Sequence, residues 1–491
     1  MKKYILSIDQ GTTSSRAILF DNSGVLRHIA QKPVSLIYPH AGWVEVDAIS
    51  IWLSVVDVIN AVLTKANVGF EEIDSIGITN QRETTVVWDK KTGMPVYNAI
   101  VWQSNQTKKI CTNYEGFREE IMDRTGLPLN PYFSASKIRF ILDNIKDGQK
   151  KAENDELMAG TIDSWLIYKL TKTRSFVTDV SNASRTLLFN IKNRCWDDEL
   201  LKMFNIPKGM LPEVRSSSSN FGKAFYFSPS LSICGVAGDQ QASLFGHACF
   251  NQGDVKNTYG TGCFLLLNTG SSIAKSKNGL ISTIGWEIDG KITYVLEGSV
   301  FIAGASVQWL RDEMGFFSDV EHSEKCAYET KDEHRTIVVP AFTGLGAPYW
   351  DSAARGAIFG LGRGTNKNDL TKATLEAIAF QSRDVFQAME LDTGVRINEL
   401  CVDGGASKNN YLMQFQSDIL GITMTKPLCH ETTALGVCFL SGLKTGFFKD
   451  LNSIKALKKN TTVFVPKMNK KTADELYERW KVAVKATITF K

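Results

Sequence analysis

The 491 residues are enough for two sizeable domains, and 43% hydrophobic with 22% charged residues is typical of a globular protein with large buried cores. A net charge of +4 without a dense Lys/Arg stretch argues against a nucleic-acid partner, and the lack of an apolar run of ~18 residues argues against a membrane span. The nine scattered cysteines form no CxxC pair, and Asp9 interrupts the apolar start, so we expect a cytoplasmic protein with free thiols and no signal peptide.

The chain opens with two Ile- and Leu-rich runs, "KYILSID" and "SRAILFD", which predict a strand, a tight turn and a second strand. The turn supplies backbone N–H groups and side chains that suit a phosphate: Gly11, Thr12, Thr13, Ser14, Ser15 and Arg16. Asp9 precedes the turn, where a carboxylate suits a metal that accompanies a polyphosphate. The same residues also fit a polar hairpin loop that binds nothing, and the stretch alone does not decide between the two.

Helices and a second hairpin follow in chain order. Apolar residues recur at helical spacing over residues 47–66 and again over 368–389. Between them, "GDVKNTYGTGCFLLLNTG" repeats the strand, glycine turn and strand of the opening, here around Thr261. A last helix is predicted to begin with a capping box formed by Thr472 and Glu475. Strands mixed with helices throughout indicate the α/β class.

A third glycine site lies in "VDGGASKNNYLMQ", where two glycines follow an apolar run and precede a helical pattern. Backbone there can approach a flat ligand such as adenine, although such a pair alone is only a turn. Three such sites are what two domains closing over a nucleotide require. We place the boundary near residue 247, which gives domains 1–247 and 248–491. The serine-rich stretch 213–230 is interpreted as a mobile surface loop rather than a phosphorylation site.

Two polar motifs are candidates for chemistry. "GVAGDQQASLFG" sets Asp239 after an apolar strand and at the start of a helix, where it fits a helix N-cap or a rigid carboxylate that faces a cleft. "NQRETT" sets Arg82 beside Glu83, and such a pair is usually a solvated loop pair. Trp102 in "IVWQ" and Phe264 in "TGCF" are core aromatics by default.

These segments together resemble the actin-like ATPase superfamily and, within it, the FGGY family of carbohydrate kinases, nearest to its members that act on glycerol. The similarity covers nearly the whole chain in the family's order, through "SIDQGTTSSRAILFD", "GITNQRETTVVWD", "TDVSNASRT", "AGDQQASLFG", "NTYGTGCF", "GLGAPYWD" and "DGGASKNNYLMQFQSDIL". The resemblance implies an α/β fold of two actin-like (ribonuclease H-like) domains, with a nucleotide and substrate cleft between them.

The resemblance also implies ATP-dependent phosphorylation of glycerol to sn-glycerol 3-phosphate, with Asp239 as the general base. It assigns the polyol to Arg82, Glu83, Trp102, Tyr132, Asp239, Gln240 and Phe264. It assigns the nucleotide to Thr12, Thr13, Ser14, Arg16, Thr261, Gly304, Gln308, Gly405 and Asn409. It places Mg²⁺, through water, beside Asp9 and Asp239. Finally, it implies a homo-oligomer, either a dimer or a tetramer.

Two other functions stay open at this point. Another FGGY kinase would act on a pentulose such as xylulose or on a tetritol, although Arg82 and Glu83 together with Trp102 and Phe264 favour glycerol. A non-catalytic actin-like nucleotide-binding protein would lack the base or the phosphate turns, whereas Asp239, "GTTSSR" and "GTG" are all present. A dinucleotide-binding dehydrogenase is disfavoured, because no GxGxxG follows the first strand.

Overall fold

The computed structural model describes residues 2–172, 175–331, 335–351, 353–458 and 461–490, and strands and helices alternate along them. The strands are Tyr4–Gln10 (β1), Ser14–Asp21 (β2), Leu26–Pro33 (β3), Glu45–Val46 (β4), Ile73–Asn80 (β5), Thr85–Asp89 (β6), Ala99–Ile100 (β7), Leu157–Thr161 (β8), Val177–Asp179 (β9), Phe189–Asn190 (β10), Cys195–Trp196 (β11), Glu213–Arg215 (β12), Ser218–Lys223 (β13), Ser232–Gly238 (β14), Val255–Tyr259 (β15), Cys263–Gly270 (β16), Ile281–Ile288 (β17), Lys291–Val300 (β18), Ile337–Val339 (β19), Ala357–Phe359 (β20), Glu399–Asp403 (β21), Thr423–Pro427 (β22) and Thr461–Phe464 (β23). The helices are Ala48–Ala66 (α1), Lys108–Asn113 (α2), Arg118–Thr125 (α3), Ser134–Asn144 (α4), Gly148–Glu153 (α5), Ile162–Leu170 (α6), Val180–Ala183 (α7), Asp198–Met203 (α8), Asp239–Gly246 (α9), Gly304–Asp312 (α10), His322–Glu329 (α11), Lys367–Thr393 (α12), Asn410–Leu420 (α13), Thr432–Thr445 (α14), Leu451–Ala456 (α15) and Lys470–Thr489 (α16). The α/β class predicted from the sequence is confirmed.

The first large sheet has six strands in the order β13-β14-β5-β1-β2-β3. Strand β1 is antiparallel to β2, as predicted for the opening hairpin, and parallel to β5, which is parallel to β14. The register sets Asn80 beside both Gln10 and Gly238. The carboxyl ends of β1, β5 and β14 therefore meet at one edge, and the polar motifs that follow these strands lie together there.

The second large sheet has seven strands in the order β17-β18-β16-β15-β21-β22-β23. Strands β15 and β16 form the second predicted hairpin, and β15 is parallel to β21. The glycine turns that follow β15 and β21 therefore lie at the same edge. Gly404 has a φ of +87°, and a Cβ there would lie 2.5 Å from the carbonyl oxygen of Tyr259, so this position requires glycine.

Helix α14 belongs to the second half of the chain, but it packs on β1, β5 and β14 of the first sheet and on α9, which all belong to the first half. It therefore connects the two halves. The two helices approach closely at two glycines. A Cβ on Gly436 would lie 1.8 Å from the carbonyl oxygen of Ala242, and a Cβ on Gly246 would lie 2.0 Å from that of Thr432. Since α9 begins with Asp239, the position of that carboxylate depends on this crossing.

The helices predicted over 47–66 and 368–389 are confirmed as α1 and α12, but the predicted start of the last helix is wrong. Helix α16 begins at Lys470, and the side chain of Asn469 caps it by accepting from the Thr472 backbone N–H. Asparagine caps a helix at least as well as threonine, and here it lies three residues earlier. By length and composition, α1 is also apolar enough to cross a membrane, but 56% of its 18-residue apolar window is buried inside the fold.

The serine-rich stretch 213–230 is not the mobile loop that the sequence predicts. It contains β12 and β13, and β13 is an edge strand of the first sheet. Ser217 and Ser218 are buried and donate to the Asp179 carboxylate (2.7 Å) and to the Leu440 carbonyl (2.8 Å). Short hydroxyl side chains favour loops because they bond to nearby backbone, whereas these two bond to distant elements instead. Their burial also argues against phosphorylation of either hydroxyl in the folded chain.

We expect Gly436→Ala to destabilise the chain by about 2 kcal/mol, because the added methyl overlaps a backbone oxygen of α9 that has little room to move. Urea unfolding measures this change as a lower midpoint. Gly116→Ala is the control, since a Cβ at Gly116 meets nothing within 4 Å. Equal midpoints for the parent and Gly436→Ala would contradict the close crossing of α9 and α14.

Candidate active site

Four buried side chains of alternating charge form a closed ring at the edge where β5 and β14 end. The Arg82 guanidinium donates to both carboxylate oxygens of Glu297, at 2.5 and 3.2 Å. Arg185 donates to Glu297 at 3.0 Å and to Glu83 at 2.6 Å, and Glu83 lies 3.8 Å from the Arg82 guanidinium. None of the four side chains is more than 2% exposed, so the solvated loop pair is excluded for Arg82 and Glu83.

The two carboxylates of this polar ring differ in how firmly they are held ionised. Burial acts to raise the pKa of Glu297, but the adjacent Arg185 and Arg82 guanidiniums outweigh it and hold that pKa at about 2. Burial raises the pKa of Glu83 above its usual range, although the same two guanidiniums oppose the shift. Glu297 is therefore ionised at neutral pH, whereas ionisation of the buried Glu83 depends on the two guanidiniums beside it.

The backbone of Glu83 is held in an unusual conformation beside the ring. Its φ is +60°, which a residue with a side chain adopts only where the surroundings enforce it. The Glu83 carbonyl accepts from the buried Lys137 ammonium (3.0 Å) and from the Ser134 hydroxyl (3.2 Å). Lys137 also donates to the carbonyl of Tyr132 at 2.7 Å, so one ammonium fixes two predicted polyol-binding residues.

Asp239 is the first residue of α9 and is not its N-cap, because Gly238 occupies the capping position. The helix-cap alternative is therefore wrong. One carboxylate oxygen of Asp239 accepts from the Gln240 backbone N–H (2.7 Å) and lies 3.2 Å from the Arg82 guanidinium. The side chain remains 33% exposed. A carboxylate that is oriented by a buried cation and still accessible is well placed to take a proton from a bound hydroxyl.

Lys256 is a buried cation of the site that the sequence analysis missed. Its ammonium donates to the side-chain oxygen of Gln240 (2.5 Å) and to the Thr258 hydroxyl (2.8 Å). Burial lowers the pKa of Lys256 to about 8, although the nearby Asp403 and Asp239 carboxylates oppose that shift. Gln240, predicted to bind the polyol, is thus fixed from the second sheet.

Three predicted aromatic residues lie half-buried, which is intermediate between a core and a surface position. The Trp102 indole N–H donates to the Thr12 hydroxyl at 2.9 Å, and its ring packs edge-on against Tyr132 at 5.5 Å. Phe264 lies on β16 opposite Thr258. Trp102 therefore connects the opening turn to the polyol residues, and the fully buried core position is excluded for Trp102 and Phe264.

The opening turn is closed by a hydrogen bond of 2.9 Å from the Gly11 N–H to the Ser14 carbonyl. Thr12 and Ser14 are half-buried and Thr13 is exposed, whereas Ser15 is buried against Ser54 (2.7 Å). Ser15 is therefore not among the phosphate-facing hydroxyls that the sequence predicts. Side chains alternate across a strand, and Ser15 already belongs to β2, so its hydroxyl points inward.

Asp9 is nearly buried at the end of β1, 3.3 Å from the Arg16 guanidinium. Burial raises the pKa of Asp9 to about 6, assisted by the nearby Glu431 and Asp239 carboxylates and opposed by Arg16. A cation beside Asp9 and Asp239 would favour the ionised form that burial opposes, so these residues fit Mg²⁺. Within the described ranges no cluster of three or more His, Cys, Asp or Glu side chains could hold a metal. Two carboxylates would suffice for an ion that retains most of its water, as Mg²⁺ usually does.

The predicted nucleotide residues of the second half lie around the turns that follow β15 and β21. The backbone N–H groups of Gly304 and Ala305 donate to the carbonyls of Gly260 (3.0 Å) and Thr261 (3.1 Å), which locks the start of α10 to the turn. A Cβ on Gly304 would lie 2.6 Å from the Gly260 oxygen, so glycine is required there. The remaining residues are exposed or begin a helix: Gln308 and Gly405 are exposed, and Asn409 caps α13 by accepting from the Leu412 N–H.

Arg185 and Glu297 complete the polar ring, yet no local pattern in the sequence singles them out. The available signals are an arginine in "SNASRT" and a glutamate directly after the apolar run "YVL" of β18. A charge in the middle of a buried strand predicts a partner, because an unpaired buried charge is very unfavourable. The sequence does not say which residue that partner is.

Residues 4–246 match the family model described as "FGGY family of carbohydrate kinases, N-terminal domain", and residues 255–444 match that of the C-terminal domain. A glycerol kinase of Bacillus mycoides is 53% identical over 496 residues, which cover 100% of both chains. The crystal structure of Plasmodium falciparum glycerol kinase with ADP has a TM-score of 0.92 and 36% identity, over 99% of this chain and 98% of that one. A ligand-bound xylulose kinase of Lactobacillus acidophilus has a TM-score of 0.86 over 99% and 98%, but at 24% identity it shows likeness of fold alone.

We expect Asp9→Asn to stabilise the ligand-free chain at neutral pH, because the folded state raises the pKa of Asp9 from its ordinary 3.8 to about 6. Between those two values the folded chain binds more protons, so the stability of the parent falls as pH rises through this window. The variant does not lose stability in this way, so its free energy of unfolding should exceed that of the parent by roughly 2–3 kcal/mol at about pH 8. Urea unfolding at about pH 5 and about pH 8 measures it. An advantage that is absent, or equal at both pH values, would contradict the assignment.

Proposed function

Since the chain belongs to the FGGY family of carbohydrate kinases, we propose that it transfers the γ-phosphoryl group of ATP to glycerol, giving sn-glycerol 3-phosphate. The observation that carries the proposal is the position of Arg82, whose guanidinium contacts both Glu83 and Asp239. One side chain thus joins the predicted polyol-binding carboxylate to the predicted base. The identity of 53% to a glycerol kinase over the whole chain supports the same substrate.

In this proposal Asp239 is the general base. It accepts the proton of a terminal glycerol hydroxyl as that oxygen attacks the γ-phosphorus, while the bond from phosphorus to the β–γ bridging oxygen breaks and ADP leaves. Arg82 fixes the orientation of the Asp239 carboxylate, whose exposed part faces the substrate. Phosphoryl transfer needs mainly positioning and charge neutralisation, so a weak base held in place is sufficient.

The polyol binds at the outer side of the polar ring, where Arg82 donates to its hydroxyls and Glu83 accepts from them. Trp102 and Phe264 pack against the C–H groups of the three-carbon chain, with Tyr132 and Gln240 beside them. Because the side chains of Arg82 and Glu83 are only 2% and 1% exposed, the two halves separate to admit glycerol and close before transfer. A substrate that lacks a hydroxyl leaves one of these buried partners unpaired, which gives strong discrimination.

The phosphates of ATP bind to the two hairpin turns, and the adenosine binds beside the Gly404 turn. The residues concerned are Thr12, Thr13, Ser14, Arg16, Thr261, Gly304, Gln308, Gly405 and Asn409. Asp9 and Asp239 would hold Mg²⁺, which when bound would supply charge neutralisation for the phosphates. The proposal also includes a cytoplasmic location, consistent with nine free cysteines, and a homo-oligomeric state.

ADP release from Mg-ATP, with glycerol, erythritol, xylulose or no acceptor, tests the proposal. We expect rapid release with glycerol, and we expect Asp239→Asn to lower kcat by roughly a thousandfold while ATP binding is retained. Asp198→Asn is the matched control, because Asp198 also begins a helix but is 77% exposed and pairs with Lys208 rather than with a ring residue.

Two outcomes would contradict this assignment. Release with xylulose but not with glycerol would place the chain among pentulose kinases and overturn the interpretation of the polyol residues. ATP binding without release in the presence of any acceptor would favour a non-catalytic actin-like protein.

A further inference from the structure

Two members of the polar ring, Arg185 and Glu297, have no part in the chemistry proposed above. Arg185 is fully buried, and its guanidinium lies 5.4 Å from the centre of the Phe133 ring and 6.0 Å from that of Tyr132. Two of its nitrogens bond to Glu83 and Glu297, while the third has no hydrogen-bond partner within the described residues. The aromatic faces and the two carboxylates together leave this guanidinium a single orientation.

Glu297 is the only member of the ring that comes from the second half, where it lies in β18. It accepts an N–H from each terminal nitrogen of Arg82, one of which also donates to the Gln241 side-chain oxygen at 3.2 Å. The Nε of that guanidinium then lies 3.2 Å from Asp239 and 3.8 Å from Glu83. Glu297, the charged partner that accepts from both terminal nitrogens, therefore has the main influence on the orientation of Arg82. A planar guanidinium held bidentately on one side has little freedom to turn on the other.

The charge on Glu83 depends on a small set of neighbours. The ionisable groups around it are Arg185, Arg82, Glu297, Lys137 and Tyr132. After burial, Arg185 has the largest influence on the carboxylate, and it favours the ionised form. Without Arg185, one guanidinium would face two buried carboxylates, and Glu83 would retain its proton to a higher pH.

We propose that Arg185 and Glu297 are positioning residues of the glycerol site: Glu297 sets the orientation of Arg82, and Arg185 sets the orientation and the charge of Glu83. This inference rests on the proposed function. Only an ionised Glu83 acts purely as an acceptor toward the hydroxyls of the polyol, because the protonated form carries an O–H donor. The two residues consequently act on glycerol binding in different ways, which separates them from residues that merely stabilise the fold.

The experiment compares the glycerol KM of the parent, Arg185→Gln and Glu297→Gln at about pH 6 and about pH 8, with ATP saturating. For Arg185→Gln we expect the glycerol KM to rise about tenfold, and to rise more at the lower pH than at the higher relative to the parent, because the ionised form of Glu83 loses the guanidinium that favours it most. For Glu297→Gln we expect a glycerol KM raised by a similar factor at both pH values. Arg82 loses the carboxylate that orients it, whereas Glu83 no longer shares the two guanidiniums with a second anion and therefore stays ionised. The KM for ATP stays within about twofold of the parent in both.

Arg139→Gln is the matched control. Arg139 is another buried arginine of the first half, but it pairs with Gln149, Asp143 and the Asn205 carbonyl, away from the ring. Its variant should leave both KM values and their pH dependence as in the parent. If Arg185→Gln does not fold, Arg185→Lys replaces it: this variant keeps a cation but not the forked donors, so its glycerol KM should rise without new pH dependence.

Three results would overturn the inference. One is an Arg185→Gln variant whose glycerol KM changes with pH as the parent's does. The second is a rise of the glycerol and ATP KM values by the same factor in both variants, since that describes general damage to the fold. The third is an unchanged glycerol KM in Glu297→Gln. A parent that shows no glycerol-dependent ADP release would contradict the proposed function itself, so the two failures are distinguishable.

Discussion

Burying a charge in a protein costs several kcal/mol unless an opposite charge is held beside it, and the polar ring buries four of them together. Arg82, Glu83, Arg185 and Glu297 satisfy this constraint only as a closed set with alternating signs. Three of them come from the first half of the chain and Glu297 comes from the second. The ring therefore requires both halves to be in register before the predicted polyol site exists.

Apolar packing around the ring maintains that register. Ile281, Ile284 and Tyr294 of the second half lie in one core with side chains of the first half, and α14 packs on both α9 and the first sheet. The carboxyl ends of β1, β5 and β14 then bring the opening turn, Arg82 and Asp239 to one edge. Function at this edge follows from topology, because parallel strands direct their following segments to the same side.

Features determined by neighbouring residues were predictable from the sequence. Both hairpins were predictable, because a glycine turn between two apolar runs favours a hairpin over other structures. Helices α1 and α12 were predictable because their apolar residues recur at helical spacing. The ring was not, since Glu83 and Arg185 are 102 residues apart and Arg82 and Glu297 are 215 apart. The loop predicted for the serine-rich stretch before β14 was wrong for the same reason. A hydrogen bond to a distant residue helps to hold that stretch as an edge strand, although its composition is typical of a loop. Burial of this kind is decided by tertiary packing, which no local pattern contains.

A crystal structure with glycerol and a non-hydrolysable ATP analogue would show whether the ring and Asp239 form one polyol site. We expect a terminal glycerol oxygen about 3 Å from the Asp239 carboxylate, with the other hydroxyls on Arg82 and Glu83 and the γ-phosphate on the far side of that oxygen. Glycerol bound without contact to Asp239, or phosphates bound away from the turns at Gly11 and Gly260, would contradict it.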